Sequence, residues 1–459
     1  MKPTEDFSRA RRILTEILSF RPDVPPVPVT FEGAGDLPSA FAVSDFAATA
    51  VAAAGIGVAD VLTAFGGCVP ALRVDRCLAS RWFASSIAPR GWPLPPVWDA
   101  IAGDYAAADG WIKLHTNAPH HRAAALKVLD CAAEREAVAA AVARREAVAL
   151  EEAIVAAGGC AAAMRTTADW LASDMGRAIA AEPLIDWRDE GAAAGLDRAV
   201  DPARPLAGVR VLDVTRVLAG PVATRFLAGL GADVLRIDPP HLEEPSVLPE
   251  TLLGKRSARL DLRTAEGRHR FEALLSGCDL LVHGYRPGAL EGLGFGAVAR
   301  RALNPGLIDV SLDAYGWTGP WRGRRGFDSL VQMSTGLAEA GMRHFSAMRP
   351  VALPVQALDH ATGYLMAFAA LSALAARRRS GRALSARLSL ARTAHLLLGH
   401  PMVEDGAGFA EPTADDWQAE IEATGWGPAA RLKMPLAIKG VAFAYPHPAR
   451  PLGGDGAAW

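Results

Sequence analysis

The chain has 459 residues, 51% hydrophobic but only 7% aromatic, so alanine supplies much of the apolar share. A balance of 48 basic and 50 acidic residues gives a formal net charge of −2. This composition excludes a disordered, collagen-like or disulfide-stapled chain, and the lack of a basic excess argues against a dedicated nucleic-acid binder. Five scattered cysteines (Cys68, Cys77, Cys131, Cys160, Cys278) form no C-x-x-C pair, so neither a disulfide framework nor a zinc ribbon is readable. Residues 1–12 mix charges with no apolar run, so no signal peptide is expected and a reduced cytoplasmic setting fits.

Taken in chain order, residues 22–38 are rich in proline and glycine and predict loop. Residues 46–72 hold a single charge, Asp60, but are mostly alanine and glycine with Pro70 inside. A membrane span needs about 20 strongly apolar residues, so a buried helix is expected here and no membrane partner. Asp109-Gly110 precedes the alternating Trp111-Ile112-Lys113-Leu114 and predicts a turn and short strand, and 122–157 is helix-prone. A linker follows at 196–208, marked by Pro202, Pro205 and Gly208.

Beyond the linker, strands alternate with helices. Strands are predicted at 209–214, 233–238, 258–262, 279–283 and 307–312, with helices at 221–230, 265–276 and 295–302. The first helix opens on Pro221, a residue suited to the first helical position. Strands spaced in this way pair in parallel through right-handed crossovers, so this half is a doubly wound α/β fold. Residues 45–74 also align without a gap on 359–388, placing Asp45 on Asp359, Gly67 on Gly381 and Arg73 on Arg387.

Several constellations could carry chemistry. The turn Thr215–Pro221 suits a phosphate at a helix N-terminus, and Asp238 closes the next strand where dinucleotide folds keep a ribose ligand. Only Gly220 occupies the turn, however, so plain strand–helix packing is an equal reading. Lys255-Arg256, Arg263, Arg286 and the run Arg322–Arg325 are placed at the carboxyl ends of strands or in adjoining loops. Together they suit a phosphorylated anion; singly, each is a solvated rim charge. Asp359 opens a helix carrying Leu365, Phe368, Leu371 and Leu374. It reads either as a simple N-cap or as a carboxylate nucleophile at the positive end of the helix dipole. Arg377–Arg379 complement the far end of that dipole. The histidines lack metal-ligand spacing, and neither G-x-S-x-G nor a Walker A motif occurs.

The ordered segments PLAGVRVLDVTRVLAGPVATRFLAGLGADVLRIDPP (205–240), GKRSARLDLRTAEG (254–267), DLLVHGYRPGALEGLGFG (279–296), NPGLIDVSLDAYGWTGPW (304–321), GFDSLVQMSTGL (326–337) and LDHATGY (358–364) resemble the class III CoA-transferase family of the CaiB/BaiF type. The resemblance implies a Rossmann-like large domain with a smaller α+β domain, and chemistry without metal or organic cofactor. CoA and acyl-CoA are then substrates, with a small carboxylic acid as acceptor. It puts Asp359 at the nucleophile position. It puts Leu218, Ala219, Leu260, Asp261, Leu262, Arg263, Gly284, Tyr285, Arg286 and Arg325 at positions that contact CoA. Covalent catalysis would split the transfer into a mixed anhydride and an aspartyl thioester.

Departures from the pattern matter. Gly284-Tyr285-Arg286 replaces a common N-F-R, and Gly292 stands where a basic residue is frequent. Phe327 occupies the place of the racemase branch's histidine, which argues against racemase chemistry. The order of parts is also displaced. Residues 1–204 resemble a displaced or second-copy C-terminal portion, with the small domain at about 96–195. Residues 205–400 resemble the CoA-binding large domain, and 401–459 a tail returning to it. Asp45 then reads as a relic. Family subunits interlock as ringed dimers, so a homodimer and a single compact unit are both open. The alternative function is a catalytically degenerate acyl-CoA-binding or scaffold protein.

Overall fold

The alternating pattern after residue 208 builds a seven-stranded sheet in the order Arg256–Arg259, Asp233–Asp238, Arg210–Val214, Leu280–His283, Ile308–Asp313, Arg382–Ser389, Asp186–Ala192. The first six strands run parallel, and Asp186–Ala192 adds an antiparallel edge. The computed structural model describes residues 7–21, 23–196, 199–402, 406 and 408–459. Strand order reverses between Arg210–Val214 and its neighbour Leu280–His283, the switch point beyond whose carboxyl edge open α/β sheets bind ligands. The fold is therefore doubly wound, as the sequence pattern implies.

Two boundaries differ from expectation. The helix after Arg210–Val214 begins at Ala219, two residues ahead of Pro221. The strand expected at 258–262 is Arg256–Arg259; Leu260 and Leu262 follow it and pack on the cluster around Phe271 and Leu281. Their apolar character serves that cluster, not the strand ladder.

The two segments that align in sequence share one local build. Helix Val43–Ala64 crosses between the parallel strands Val29–Glu32 and Leu72–Asp75. Helix Ala357–Ser380 crosses between Ile308–Asp313 and Arg382–Ser389. The likeness extends to caps: Asp75 accepts the Leu78 N–H, and its counterpart Ser389 accepts the Arg392 N–H. The two long helices pack on each other, and Gly57 meets Leu371 and Phe368 at the crossing. Val43–Ala64 is long and apolar enough to cross a membrane, but 94% of its most apolar window is buried inside the protein.

A smaller α+β unit has its own core. Strands Gly103–Ala106, Trp111–Leu114 and Ala161–Ala163 pair antiparallel, and helices Pro119–Leu129, Arg135–Val142 and Ala147–Ala156 bury Leu129, Val138 and Leu150 against them. Glu151 joins this unit to the large sheet by accepting from both Arg165 (2.6 Å) and Arg324 (2.5 Å). The tail crosses back twice: Leu436–Ile438 pairs with Leu72–Asp75, and Trp459 donates to the Leu274 carbonyl at 2.9 Å.

Candidate active site

Asp359 is the third residue of helix Ala357–Ser380 and is 8% exposed. Gln356 holds the N-cap position and makes no side-chain capping bond. The cap comes from elsewhere in the chain: Asp328 Oδ2 accepts the Leu358 and Asp359 N–H groups, each at 2.9 Å. Asp328 Oδ1 accepts from Gln332 Nε2, and Gln332 Oε1 accepts the Leu353 N–H at 2.7 Å. Asp359 is thus capped and does not cap, which removes the plainer reading of this residue. Among the described residues its carboxylate takes no hydrogen bond or ion pair. Burial, and then the neighbouring Asp328, raise its pKa well above the usual carboxylate range. Burial also pushes Asp328 up to about 6, against the opposing pull of its hydrogen bonds.

One turn along, a Cβ on Gly363 would lie 2.4 Å from the Ala219 carbonyl oxygen. Only glycine lets the Asp359 helix cross so closely over the start of helix Ala219–Gly229. That crossing sets the turn Thr215–Ala219, with buried Leu218 and Ala219, beside the Asp359 helix. Val217 in this turn has φ +62°, a left-handed conformation rare for a β-branched residue. Its N–H donates to Glu244 at 3.2 Å, and Glu244 also takes Arg236 at 2.9 Å. Beneath the turn, Asp213 accepts from Thr215, Thr224 and Lys255, the last at 3.0 Å.

These contacts correct three expectations. Lys255 is buried on Asp213, where burial pushes its pKa down to about 8, so it is no rim cation. Arg256 opens its strand and pairs with Asp233 at the opposite edge. Asp238 is 1% exposed and held at 2.8 Å by Arg236, so it faces no ribose, and the dinucleotide reading loses its ligand. The Arg377–Arg379 run also does more than complement a dipole. Arg377 donates to the Ala194 and Gly306 carbonyls, and Arg379 pairs with buried Asp60 of the partner helix at 2.7 Å.

The remaining residues expected at the site fall in two groups. Arg216 lies 4.8 Å over the Tyr285 ring and donates to its hydroxyl at 3.0 Å, tying the 215–219 turn to Gly284–Arg286. Leu260, Leu262 and Tyr285 share one apolar cluster. Arg263 pairs with Asp261 at 2.8 Å and holds its carboxyl down to about 2. Arg286 is exposed. Arg325 stands apart, on the small unit, donating weakly to the Gly158 carbonyl at 3.4 Å. His120 links the groups: after burial, Arg325, Arg216 and His241 are what lower its pKa.

Asp328 and Gln332, which hold the start of the Asp359 helix, are neighbours that motif reading passed over. The Asp328–Gln332 spacing of one helical turn was the available signal. Phe327 lies flat on His115, with ring centroids 3.7 Å apart, so position 327 has no titrating group. Asp45, the counterpart of Asp359, is instead neutralised by Arg76 at 2.7 Å and Arg9 at 3.7 Å.

A switch-point turn, arginines on the loops near it and a buried carboxylate on a closely crossed helix make up the candidate site. Residues 206–424 match the family model CoA-transferase family III. Relatives include a probable fatty acyl-CoA transferase of Mycobacterium tuberculosis, 37% identical over 195 residues, covering 39% of this chain and 49% of that protein. The succinyl-CoA–D-citramalate CoA-transferase of Chloroflexus aurantiacus is 34% identical over 194 residues, 39% and 48% of the two chains. A CAIB/BAIF family protein from Brucella suis, solved by crystallography, is 25% identical with a TM-score of 0.37, covering 49% of this chain and 65% of that one. The chain spans about half the length of the curated relatives it matches.

Proposed function

We propose that the chain moves CoA from an acyl-CoA thioester to a free carboxylic acid, with Asp359 as the nucleophile. The observation that carries this reading is that the Asp359 carboxylate is buried and unpaired while Asp328 satisfies the helix end. A carboxylate with a raised pKa is, once ionised, a stronger nucleophile than an exposed one, and a dry site slows hydrolysis of an anhydride.

In this reading the Asp359 carboxylate attacks the thioester carbonyl, the C–S bond breaks, and CoA leaves as thiolate. CoA thiolate then attacks the aspartyl carbonyl of the mixed anhydride and releases the donor acid, leaving an aspartyl-CoA thioester. The acceptor carboxylate attacks that thioester, again expelling CoA thiolate. The thiolate finally attacks the acceptor's acyl carbon, giving the new acyl-CoA and restoring Asp359. The steps balance with the two substrates alone. The turn at Leu218 and Ala219, the loops at Leu260–Arg263 and Gly284–Arg286, and Arg325 are assigned to CoA, whose phosphates suit the cations there.

The test is intact-mass spectrometry after incubation with a panel of acyl-CoAs, beside Asp359→Ala. An adduct of acyl or CoA mass, released by hydroxylamine and missing in the variant, supports the assignment. CoA binding without any adduct favours the degenerate binding protein, and no CoA binding overturns both.

A further inference from the structure

The sequence repeat is also a structural repeat, down to the turn that opens each helix. The Val43 N–H donates to the Phe41 carbonyl at 2.7 Å, and at the aligned position the Ala357 N–H donates to the Val355 carbonyl at 2.8 Å. Ala42 (φ −73°, ψ 57°) and its counterpart Gln356 (φ −75°, ψ 64°) share the inverse γ-turn conformation. Each strand that follows, Leu72–Asp75 and Arg382–Ser389, lies between a parallel strand and an antiparallel edge strand. The two helices meet through one pair of counterparts: Gly57 aligns with Leu371, and a Cβ on Gly57 would lie 3.0 Å from the Leu371 Cβ. A residue that touches its own counterpart lies on a local two-fold axis, the mark of an isologous contact between two copies.

The contact is tuned to these two helices and not to either one taken twice. Two copies of Ala357–Ser380 would set Leu371 against Leu371 where Gly57 now gives room, and such overpacking is destabilising. Arg379 pairs with Asp60 at 2.7 Å. The counterpart of Asp60 is Leu374, so a second Ala357–Ser380 helix would leave Arg379 without that carboxylate. Two copies of Val43–Ala64 would set fully buried Asp60 toward Phe65, the counterpart of Arg379, and a buried charge with no partner is costly. No face is left over either: residues 43–62 and 357–375 are buried throughout. The same segment reaches the candidate site, where Phe83 stacks on His360, next to Asp359, with ring centroids 5.0 Å apart.

We propose that residues 29–83 are a resident second copy, seated across a local two-fold axis on the Asp359 helix, so that one chain is a complete unit with one candidate site. A second copy of this chain then has no seat on Ala357–Ser380. Light scattering of the full chain, from micromolar to near-millimolar concentration, should return the mass of one chain, 48.2 kDa, throughout. A mass of twice that overturns the proposal. Melting temperatures test the axis. Gly57→Leu overpacks the crossing and Leu371→Gly opens a cavity there, so each alone should melt several degrees below the native chain. The exchange of both, G57L with L371G, should melt above either single variant, because counterparts on a two-fold axis can trade places. Folding of the exchange where Gly57→Leu alone does not fold is the same result. A double variant that does not melt above both singles overturns the axis. Neither measurement reads CoA chemistry, so either outcome leaves the transfer reading as it stands.

Discussion

Asp328 holds Asp359 by its backbone and leaves its side chain free: Oδ2 accepts the Asp359 N–H at 2.9 Å across 31 residues of sequence. The bond serves two ends. It satisfies a helix terminus that Gln356 does not cap, and it places a second carboxylate beside the first. Asp328→Ala strands the Leu358 and Asp359 N–H groups in a buried setting, which costs about 1–3 kcal/mol per unsatisfied group. We expect a lower urea midpoint and slower loading of Asp359 by about tenfold or more, since small displacements of a reacting group are expensive. Asp328→Asn keeps one acceptor oxygen for these N–H groups but turns its amide NH2 toward the Gln332 amide, so it should recover only part of the stability.

The same pair sets a pH dependence. The folded pKa of Asp359 is raised by burial and by Asp328, above an unfolded value of about 3.9. The native state therefore holds the proton more tightly. Stability from this group is full below the unfolded pKa and is lost as pH rises toward the folded one. Asp359→Asn removes that loss. Its melting temperature should exceed that of the native chain by more at about pH 8 than at about pH 5. Loading of the native chain should rise with pH above the ordinary carboxylate range, and Asp328→Asn should move that rise to lower pH.

The two matching helices differ where chemistry is concerned. Asp45 is paired with Arg76, whose counterpart by alignment is the apolar, buried Leu390. Arg76→Leu leaves Asp45 as a buried charge with only Arg9 near it, 3.7 Å away. Breaking a buried pair from one side costs about 3–5 kcal/mol, so a clear fall in the denaturation midpoint is expected. Peptide mapping of the native chain should place the acyl adduct on Asp359 and not on Asp45. An adduct on Asp45 would mean the ion pair does not silence it.

Local signals carried the sheet and its helices; contacts between distant segments did not show. The alternation of strands and helices after residue 208 was readable because apolar runs, glycine turns and spacing are properties of adjacent residues. The role of Asp328 was not readable, because its partners are 30 and 31 residues away. Lys255 looked like a rim charge since only tertiary packing reveals Asp213 beneath it. The dipeptide Leu260–Asp261 looked like strand because apolar side chains that pack on a core from a loop resemble those of a ladder.

Val217 offers a last test, on the turn assigned to CoA. A β-branched residue at φ +62° carries strain on the order of 1–3 kcal/mol, held here by the N–H bond to Glu244. Val217→Gly relieves the strain but gives the unfolded chain more freedom, an opposing effect of about 0.4–1 kcal/mol. The melting temperature should stay level or rise. Binding should move the other way, because a turn fixed in advance lets a ligand bind without the cost of ordering it. Titration calorimetry with CoA should show weaker affinity and a less favourable binding entropy in the variant. A variant that melts lower and binds CoA as before would show that the turn is a structural joint and not part of the ligand site.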